Sequence, residues 1–384
     1  VIAQSYGARD VDAVDRQVHT ALAMAVLGGA ALTVVGLLTS RTVLQLMGTP
    51  AEILQGATIY LQIYFLGMIP QFIYNMGTNI LRAVGDSKRP LYFLIIASLV
   101  NIVLDILFVA GFHWGVAGAA IATVISQVAS AVLTMRCLIG SGGMPWHLDG
   151  FQPKVDLAVM RDICRIGLPS AAQSALYSVS NIVIQASINA FGTTAVAAWS
   201  VYGKIDFLFW MTVSSFGIAI TTFAGQNFGA RQYDRVRSGT RICLGMTAAV
   251  TVFISLVLYP AAGLLFRLFS QDAAVISQGI QMMHFLVPAY ITYICIEILS
   301  GALRGCGDVR VPTLITVFGV CGLRILWLLA VVPQVHTLLM VEASYPITWT
   351  LSSVLFIVYH LRGGWMQRCM QARHGEAAEA DAAL

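Results

Sequence analysis

Five ionisable residues lie inside long apolar segments of this 384-residue chain: Asp105, Lys204, Asp206, Glu297 and Arg324. A charge in such a segment is costly to bury, so each of these residues is a candidate functional residue. Buried acids and bases can hold protons or small cations. The set therefore predicts ion-linked chemistry.

Asp105 follows Asn101 by four residues in the segment NIVLD. On a helix this spacing places both side chains on one face. A carboxylate beside an amide carbonyl suits a hard cation such as Na⁺, or a proton held on the carboxyl group. Thr123, in the next apolar segment, is in position to add a hydroxyl. We predict a cation site at Asn101, Asp105 and Thr123, with a polar pair joining two helices as the alternative.

Lys204 and Asp206 are two residues apart, so on a helix their side chains point in different directions. We expect them to face separate partners or a cavity rather than each other. Contacts that only join neighbouring helices are the alternative.

Tyr293 and Glu297 are four residues apart and are predicted to share one helix face. Arg324 is the expected ion-pair partner of Glu297 or Asp206, because an unpaired arginine at that depth is expensive. A gating pair and a purely structural pair both remain open. Nearby aromatic and methionine side chains are suited to contact cationic ligands, although packing explains each one singly. These residues are Tyr177, Tyr202, Trp210, Met211 and Trp349.

The composition indicates that these residues are carried by a membrane protein. Hydrophobic residues make up 58% of the chain and charged residues 10%, with a mean hydropathy of +0.79. Soluble domains carry about 25% charged residues. The seven cysteines include no C-x-x-C pair, which argues against a zinc site or a disulfide framework. No H-E-x-x-H motif occurs and the histidines are dispersed, so we predict that the protein is not an enzyme.

Ten apolar segments are long enough to cross roughly 30 Å of hydrocarbon. A stub at Val1–Gln4 is expected to end an eleventh. The predicted spans are 17–39, 55–81, 91–112, 115–138, 166–190, 194–224, 240–266, 275–303, 312–332 and 343–361.

The basic residues outside these spans fall on alternate connections, with Arg41 and Arg267 as the exceptions. By the positive-inside rule the basic side is cytoplasmic. We therefore predict a multi-pass protein of the bacterial cytoplasmic membrane with a cytoplasmic C-terminus.

Two short phrases occur twice with a common offset of 222 residues. GARD begins at Gly7 and GARQ at Gly229, while LRAVGDSKRP begins at Leu81 and LRGCGDVRVP at Leu303. The shared offset predicts a duplication. Six spans separate equivalent points, so the copies have the same orientation, which is a parallel repeat of the kind found in secondary transporters.

The phrase RIGLPSAAQ, from Arg165, has no partner because its counterpart would precede Val1. We therefore expect a parent protein with six plus six spans, of which this chain lacks one helix and most of a second. The predicted fold is an all-α polytopic membrane protein with two parallel-repeat six-helix lobes.

In order along the chain, these motifs resemble the prokaryotic multidrug and toxic compound extrusion (MATE) transporters. The resemblance covers essentially the whole chain. It implies export of cationic, amphiphilic compounds in exchange for H⁺ or Na⁺. It also implies an N-terminal cation site with an N-x-x-x-D pair, a Thr on the next helix and an Asp on the first helix. Many members carry an acid about one turn before Glu297, where this chain has Tyr293. The motifs that carry the resemblance are AQSYGARD, LRAVGDSKRP, NIVLDILFVAGFHWGVAGAAIATVISQ, RIGLP, GQNFGARQYDRV, SGALRGCGDVRVP and YPITW.

The predicted organisation is an N-terminal lobe over 1–140, a cytoplasmic linker over 141–160, a C-terminal lobe over 161–363 and a disordered tail over 364–384. We expect no cofactor, no nucleic-acid partner and no metal other than Na⁺ at Asp105. The expected protein is a monomer in membrane lipid that acts on small cationic or amphiphilic molecules. The alternative is a flippase for lipid-linked precursors. That cargo carries phosphates and would require a strongly cationic cavity, whereas the five charges within the spans are two bases and three acids.

Overall fold

The computed structural model describes residues 1–140, 155–362 and 364–371, and its regular structure in these ranges is entirely helical. This confirms the predicted all-α class. The helices are α1 (Ile2–Gly7), α2 (Val11–Leu46), α3 (Ala51–Leu66), α4 (Met68–Ala83), α5 (Lys88–Asp105), α6 (Gly115–Gly140), α7 (Leu157–Asn189), α8 (Thr193–Gly229), α9 (Tyr233–Phe269), α10 (Ala273–Leu286), α11 (Ile294–Gly305), α12 (Arg310–Ile315), α13 (Leu323–Ala330) and α14 (Leu338–Leu361).

Within the described ranges, 8 helical segments are long and apolar enough to span a membrane, and the pair α3–α4, bent by 45°, makes up to 9. The chain is therefore a multi-pass membrane protein. The predicted span 166–190 lies in α7, which has 33 residues but is not among the segments that are apolar enough. The reason is its polar residues, such as Asn181 and Gln185.

Three of the spans change helix type partway across. The π-helix Ile106–Gly111 continues α5, and the π-helix Thr316–Gly322 joins α12 to α13. The 3₁₀-helix Val287–Thr292 joins α10 to α11 and contains Pro288, which has no backbone N–H to donate. Because π-helical turns inside α-helices are frequent at functional sites, the segment that directly follows Asp105 is of interest.

The first repeated phrase has the same backbone in both copies. Arg9 and Arg231 adopt the left-handed conformation, with φ of 59° and 58°. The N–H of Ala8 bonds to the Gln4 carbonyl at 2.9 Å, and the N–H of Ala230 makes the related bond at the same distance. The two copies of this phrase, which lie 222 residues apart in the sequence, therefore also have the same local backbone structure.

The second repeated phrase supports the same conclusion. Gly85 and Gly307 have φ of 95° and 97°, where an L side chain would be strained. The N–H of Asp86 bonds to the Leu81 carbonyl at 2.9 Å, and the related pair in the second copy is at 3.0 Å. This is the Schellman ending of a helix, for which glycine is the preferred residue. The internal repeat is thus confirmed.

The chain divides into two compact units, Val1–Ile163 and Cys164–Leu384. Unit 1 contains the first copy of both phrases, and its core is an apolar cluster from α2, α4 and α6. Unit 2 contains the second copy and a larger apolar core drawn mainly from α8 to α11 and α14. Most of the predicted linker 141–160 lies outside the described residues.

The prediction of a disordered tail over 364–384 is wrong for residues 364–371, which are helical. Trp365 and Met366 are buried at 3% and 1% exposure and belong to the core cluster of unit 2. Arg368 donates to the Tyr359 hydroxyl at 2.9 Å. The Ala/Glu-rich composition that suggested disorder begins only after this apolar turn, and residues 372–384 lie outside the described ranges.

Candidate functional site

A cavity of about 520 Å³ lies within unit 2. Such a volume suits a drug-sized ligand. Its walls come from α7, α8, α13 and α14, together with the residue that precedes α11. The lining residues are Tyr177, Asn181, Ile184, Gln185, Trp199, Asp206, Trp210, Tyr293, Arg324, Tyr345 and Trp349.

Helix α7 contributes one face to the cavity. Tyr177, Asn181, Ile184 and Gln185 recur at helical spacing, so their side chains lie on the same side of the helix. The Gln185 amide also donates to the side chain of Asn189 at 2.9 Å. The polar residues that lower the hydropathy of α7 therefore lie against a cavity rather than against lipid.

Helix α8 provides an acid, Asp206, to the same cavity. The Trp210 indole N–H donates to Asp206 Oδ2 at 2.6 Å, one helical turn away. Asp206 Oδ1 is buried and has no donor at hydrogen-bond distance in the described part of the chain, although the Tyr202 and Tyr290 hydroxyls interact with this carboxyl group. This oxygen is the available acceptor on the α8 wall.

Aromatic rings form much of the remaining wall, with edge-to-face contacts that fix their orientation. The Trp210 and Tyr293 centroids are 4.6 Å apart, and the Tyr293 and Trp349 centroids are 5.6 Å apart. Tyr345 contacts Trp349 at 5.3 Å. Trp349 is only 2% exposed, so the cavity wall is continuous with the core of the unit.

Arg324 reaches the cavity, but the predicted ion pair with Glu297 or Asp206 is wrong. The structure has no acid within ion-pair distance of this guanidinium among the described residues. Its Nη2 donates to Thr348 Oγ1 at 3.0 Å, and the group lies over the Tyr345 ring, 4.1 Å from the centroid. The prediction failed because it assumed that only a carboxylate could accompany an arginine at this depth, whereas α14 offers a hydroxyl and an aromatic face.

Tyr293 and Glu297 share a face, as their spacing predicts. The Tyr293 hydroxyl donates to Glu297 Oε2 at 3.2 Å. Glu297 packs against Gly217 of α8 so closely that a Cβ at Gly217 would overlap Glu297 Oε1. Glu297 therefore lies behind the cavity, one turn from the lining residue Tyr293.

Lys204 is not brought to the cavity. It is exposed, and its ammonium lies 5.2 Å from the centroid of Phe269 at the end of α9. Asp206 faces the cavity instead, so the two charges do diverge as their spacing predicts.

A buried acid that sequence reasoning missed is Glu342, which is 3% exposed. The predicted span began at 343, whereas α14 begins at Leu338 and takes Glu342 into its second turn. Trp199 and Tyr345 were also missed. Trp199 lies seven residues before Asp206, and Tyr345 lies four residues before Trp349. Both spacings place the two side chains on one helix face and could have identified these residues from the sequence.

The predicted N-terminal site lies in unit 1, and its residues are half-buried. Asn101 Nδ2 and Asp105 Oδ1 are buried without hydrogen-bond partners in the described ranges. The Thr123 hydroxyl donates to the Ala119 carbonyl at 3.0 Å, which commits its proton to its own helix. No hydrogen bond joins the three side chains in the described chain. Nor do the described residues hold a cluster of three or more His, Cys, Asp or Glu side chains that could bind a metal.

Comparison with known proteins places the chain among membrane transporters. The MatE family model matches residues 1–107 and 169–328. The chain is 28% identical over 370 residues to the probable multidrug resistance protein YoeA of Bacillus subtilis, covering 94% of this chain and 79% of that protein. It is 24% identical over 331 residues to the probable multidrug resistance protein NorM of Thermotoga maritima, with coverage of 84% and 70%.

Two solved structures share the fold. A MOP superfamily transporter from Pyrococcus furiosus, for which reverse polarity of the binding pocket suggests a different function, superposes with a TM-score of 0.89 at 21% identity. That match covers 95% of this chain and 82% of the other. An outward-facing multidrug resistance MATE family transporter of the same superfamily gives a TM-score of 0.87 at 22% identity, with 96% and 82% covered.

Proposed function

The chain belongs to the MatE family of membrane transporters, and on that premise we propose that it exports cationic, amphiphilic compounds in exchange for H⁺ or Na⁺. The observation that carries the proposal is the unit 2 cavity, where the acid Asp206 stands among aromatic rings. Aromatic faces attract organic cations, and this attraction grows when water is excluded. The names of the relatives, probable multidrug resistance proteins, support the same substrate class.

In this proposal Asp206 receives the positive group of the substrate at Oδ1, which has no donor at hydrogen-bond distance in the described chain. Tyr293 and Trp349 pack against the organic body, and Glu297 holds the Tyr293 hydroxyl in place. Arg324 lines the same cavity and lies against the Tyr345 ring. Lys204 has no part, because its ammonium lies beside the end of α9.

We assign coupling to unit 1. Asn101 and Asp105 lie on one face of α5 with unpartnered polar atoms, directly before the π-helical segment. Either a proton on Asp105 or a Na⁺ held with the help of Asn101 and Thr123 would satisfy them. The protein would act as a monomer in the bacterial cytoplasmic membrane with its C-terminus in the cytoplasm.

A flippase for lipid-linked precursors is not favoured. Its phosphate-bearing cargo would require several bases in the cavity. Within the described chain Arg324 is the only base among the lining residues, and Asp206 stands in the same cavity.

The test is ethidium transport by the full-length protein in everted membrane vesicles under an imposed H⁺ or Na⁺ gradient. We expect accumulation that depends on one of the two gradients, and ethidium binding to purified protein that Asp206→Asn weakens by about tenfold or more. Arg267→Gln, which removes an exposed charge at the end of α9, is the matched control and should leave both unchanged. Gradient-independent ethidium levels equal to those of vesicles without the protein would refute the proposal.

A further inference from the structure

Arg324 is the least satisfied charge in the cavity wall. Its residue is 2% exposed and its side chain lines the cavity. A guanidinium has five N–H donors, yet within the described chain only Nη2 has a protein acceptor, Thr348 Oγ1. The Nε–H is buried without a partner.

The contacts that Arg324 does make offset only part of the cost of burying its charge. The Tyr345 ring lies 4.1 Å from the guanidinium carbon, which gives a cation–π attraction. Neither the ring nor the Thr348 hydroxyl carries a negative charge, and a buried ion without a counter-ion remains expensive. The guanidinium therefore has N–H donors for which the described part of the chain provides no acceptor.

Asp206 shows the opposite deficiency in the same cavity. The Trp210 indole donates to Oδ2, whereas Oδ1 is buried with no donor at hydrogen-bond distance. The Tyr202 and Tyr290 hydroxyls beside the carboxyl group are neutral and leave its charge without a counter-ion. A simple organic cation would satisfy Asp206 and leave Arg324 as it is, or add repulsion to it. A molecule with both charges would satisfy both groups.

We propose that this cavity selects zwitterionic amphiphiles, whose cationic group binds Asp206 and whose carboxylate binds the Arg324 guanidinium. This inference rests on the proposed function and narrows its substrate class. Arginine suits the role because its planar fork donates two parallel hydrogen bonds to a carboxylate. The aromatic rings that line the cavity would cover the apolar body of the ligand.

The test compares two dyes that share one chromophore: rhodamine B, a zwitterion at neutral pH, and its ethyl ester, a cation. Binding to detergent-solubilised full-length protein is followed by fluorescence polarisation. We expect wild type to bind rhodamine B about tenfold more tightly than the ester. Arg324→Gln should remove this preference by weakening rhodamine B while leaving the ester unchanged or slightly tighter.

Two further variants make the result decisive. Arg324→Lys keeps the charge and loses the fork, so the preference should shrink without disappearing. If Arg324→Gln does not fold, this variant still distinguishes an anion-binding arginine from a structural one. Arg267→Gln, an exposed arginine outside the cavity, should retain the full preference.

Equal affinities of wild type for both dyes would overturn the inference, and so would a parallel loss of both dyes in folded Arg324→Gln. Failure of the proposed function looks different, because neither dye would then bind to wild type. If wild type binds the ester and shows no preference for rhodamine B, only the zwitterion inference is refuted. The proposed export of cations would not be affected.

Discussion

The two units use related positions for different chemistry. In unit 1, the Gln127 amide donates to the Gln71 side chain at 3.1 Å. The residues 222 positions further on are Trp349 and Tyr293, whose rings meet at 5.6 Å in unit 2. The equivalent positions are therefore in contact in both units, but the contact is made by two amide side chains in unit 1 and by two aromatic rings in unit 2.

The difference extends to the acids. Glu297 of unit 2 corresponds to Asn75 of unit 1 at the same offset, so the acidic charge on this helix belongs to one copy. Asp105 of unit 1 corresponds to Trp327, an aromatic residue. Since the repeated helix ends have nearly identical backbones, the duplication fixed the scaffold and left side chains free to diverge. In our proposal, unit 1 binds the coupling ion at a small polar site and unit 2 binds the organic substrate in an aromatic cavity.

The largest effect should come from Asp105→Asn, which tests the assignment of coupling to unit 1. A neutral amide can neither release a proton nor balance Na⁺, so gradient-driven ethidium transport in everted vesicles should fall to background. Folding should survive because Asn is nearly isosteric and cheaper to hold in a membrane. Ethidium binding should persist because the cavity lies in unit 2.

Asn101→Ala provides the graded control for Asp105→Asn, since it removes a dipolar group and no charge. Its transport rate should fall less. If well-expressed Asp105→Asn protein transports ethidium at the wild-type rate, Asp105 does not carry the coupling ion. Coupling would then be assigned to Asp206 or Glu297, and the proposed division of roles between the two units would be wrong.

The aromatic side of the comparison is tested by a pair of variants at related positions. Trp349→Ala should weaken ethidium binding by about tenfold, since a desolvated cation–π contact contributes about 1–2 kcal/mol. Gln127→Ala, at the corresponding place in unit 1, should leave binding within about twofold of wild type. The measurement is fluorescence titration of purified protein, with thermal stability as the folding control. Equal losses in both variants would mean that the substrate does not distinguish the two units.

Much of this architecture could be predicted from the sequence because it depends on local or periodic signals. Hydropathy located the spans, and the offset of 222 located the repeat, whose left-handed Arg9 and Arg231 then proved equivalent. The apolar residues of α7 were sufficient to predict its span. They did not reveal that the polar residues of the same helix face a cavity.

The composition of the cavity was harder to predict because it depends on which helices meet. Arg324 was expected to pair with an acid, yet its neighbours on α14 are Thr348 and Tyr345, which no sequence spacing could assign to it. Glu342 was missed because α14 begins five residues before the predicted span. Such contacts between distant segments are fixed by packing rather than by periodicity.

Close packing of helices offers a comparison of stability. A Cβ on Gly305 would meet the Thr221 carbonyl at 2.5 Å, and one on Gly29 would meet the Ile69 Cα at 2.8 Å. Both contacts are with backbone, which moves at a cost of about 1–3 kcal/mol. Gly305→Ala in unit 2 should lower the melting temperature more than Gly29→Ala in unit 1. Gly56→Ala is the control, because its added Cβ would meet no other atom within 4 Å. Equal melting temperatures for all three variants would contradict this account.

The smallest effect is expected from Tyr293→Phe, which removes one hydroxyl and keeps the ring. The lost bond to Glu297 is 3.2 Å long, and a hydrogen bond of this kind contributes about 0.5–1.5 kcal/mol. Ethidium affinity should therefore fall by no more than about tenfold, and by less than in Trp349→Ala, because the ring still meets Trp210 and Trp349. Glu297→Gln should produce a similarly small change in affinity, since an amide oxygen can still accept from Tyr293. If Tyr293→Phe instead abolished binding while Glu297→Gln did not, the hydroxyl itself would contact the substrate, and unit 2 would recognise its ligand by a polar group as well as by its aromatic surface.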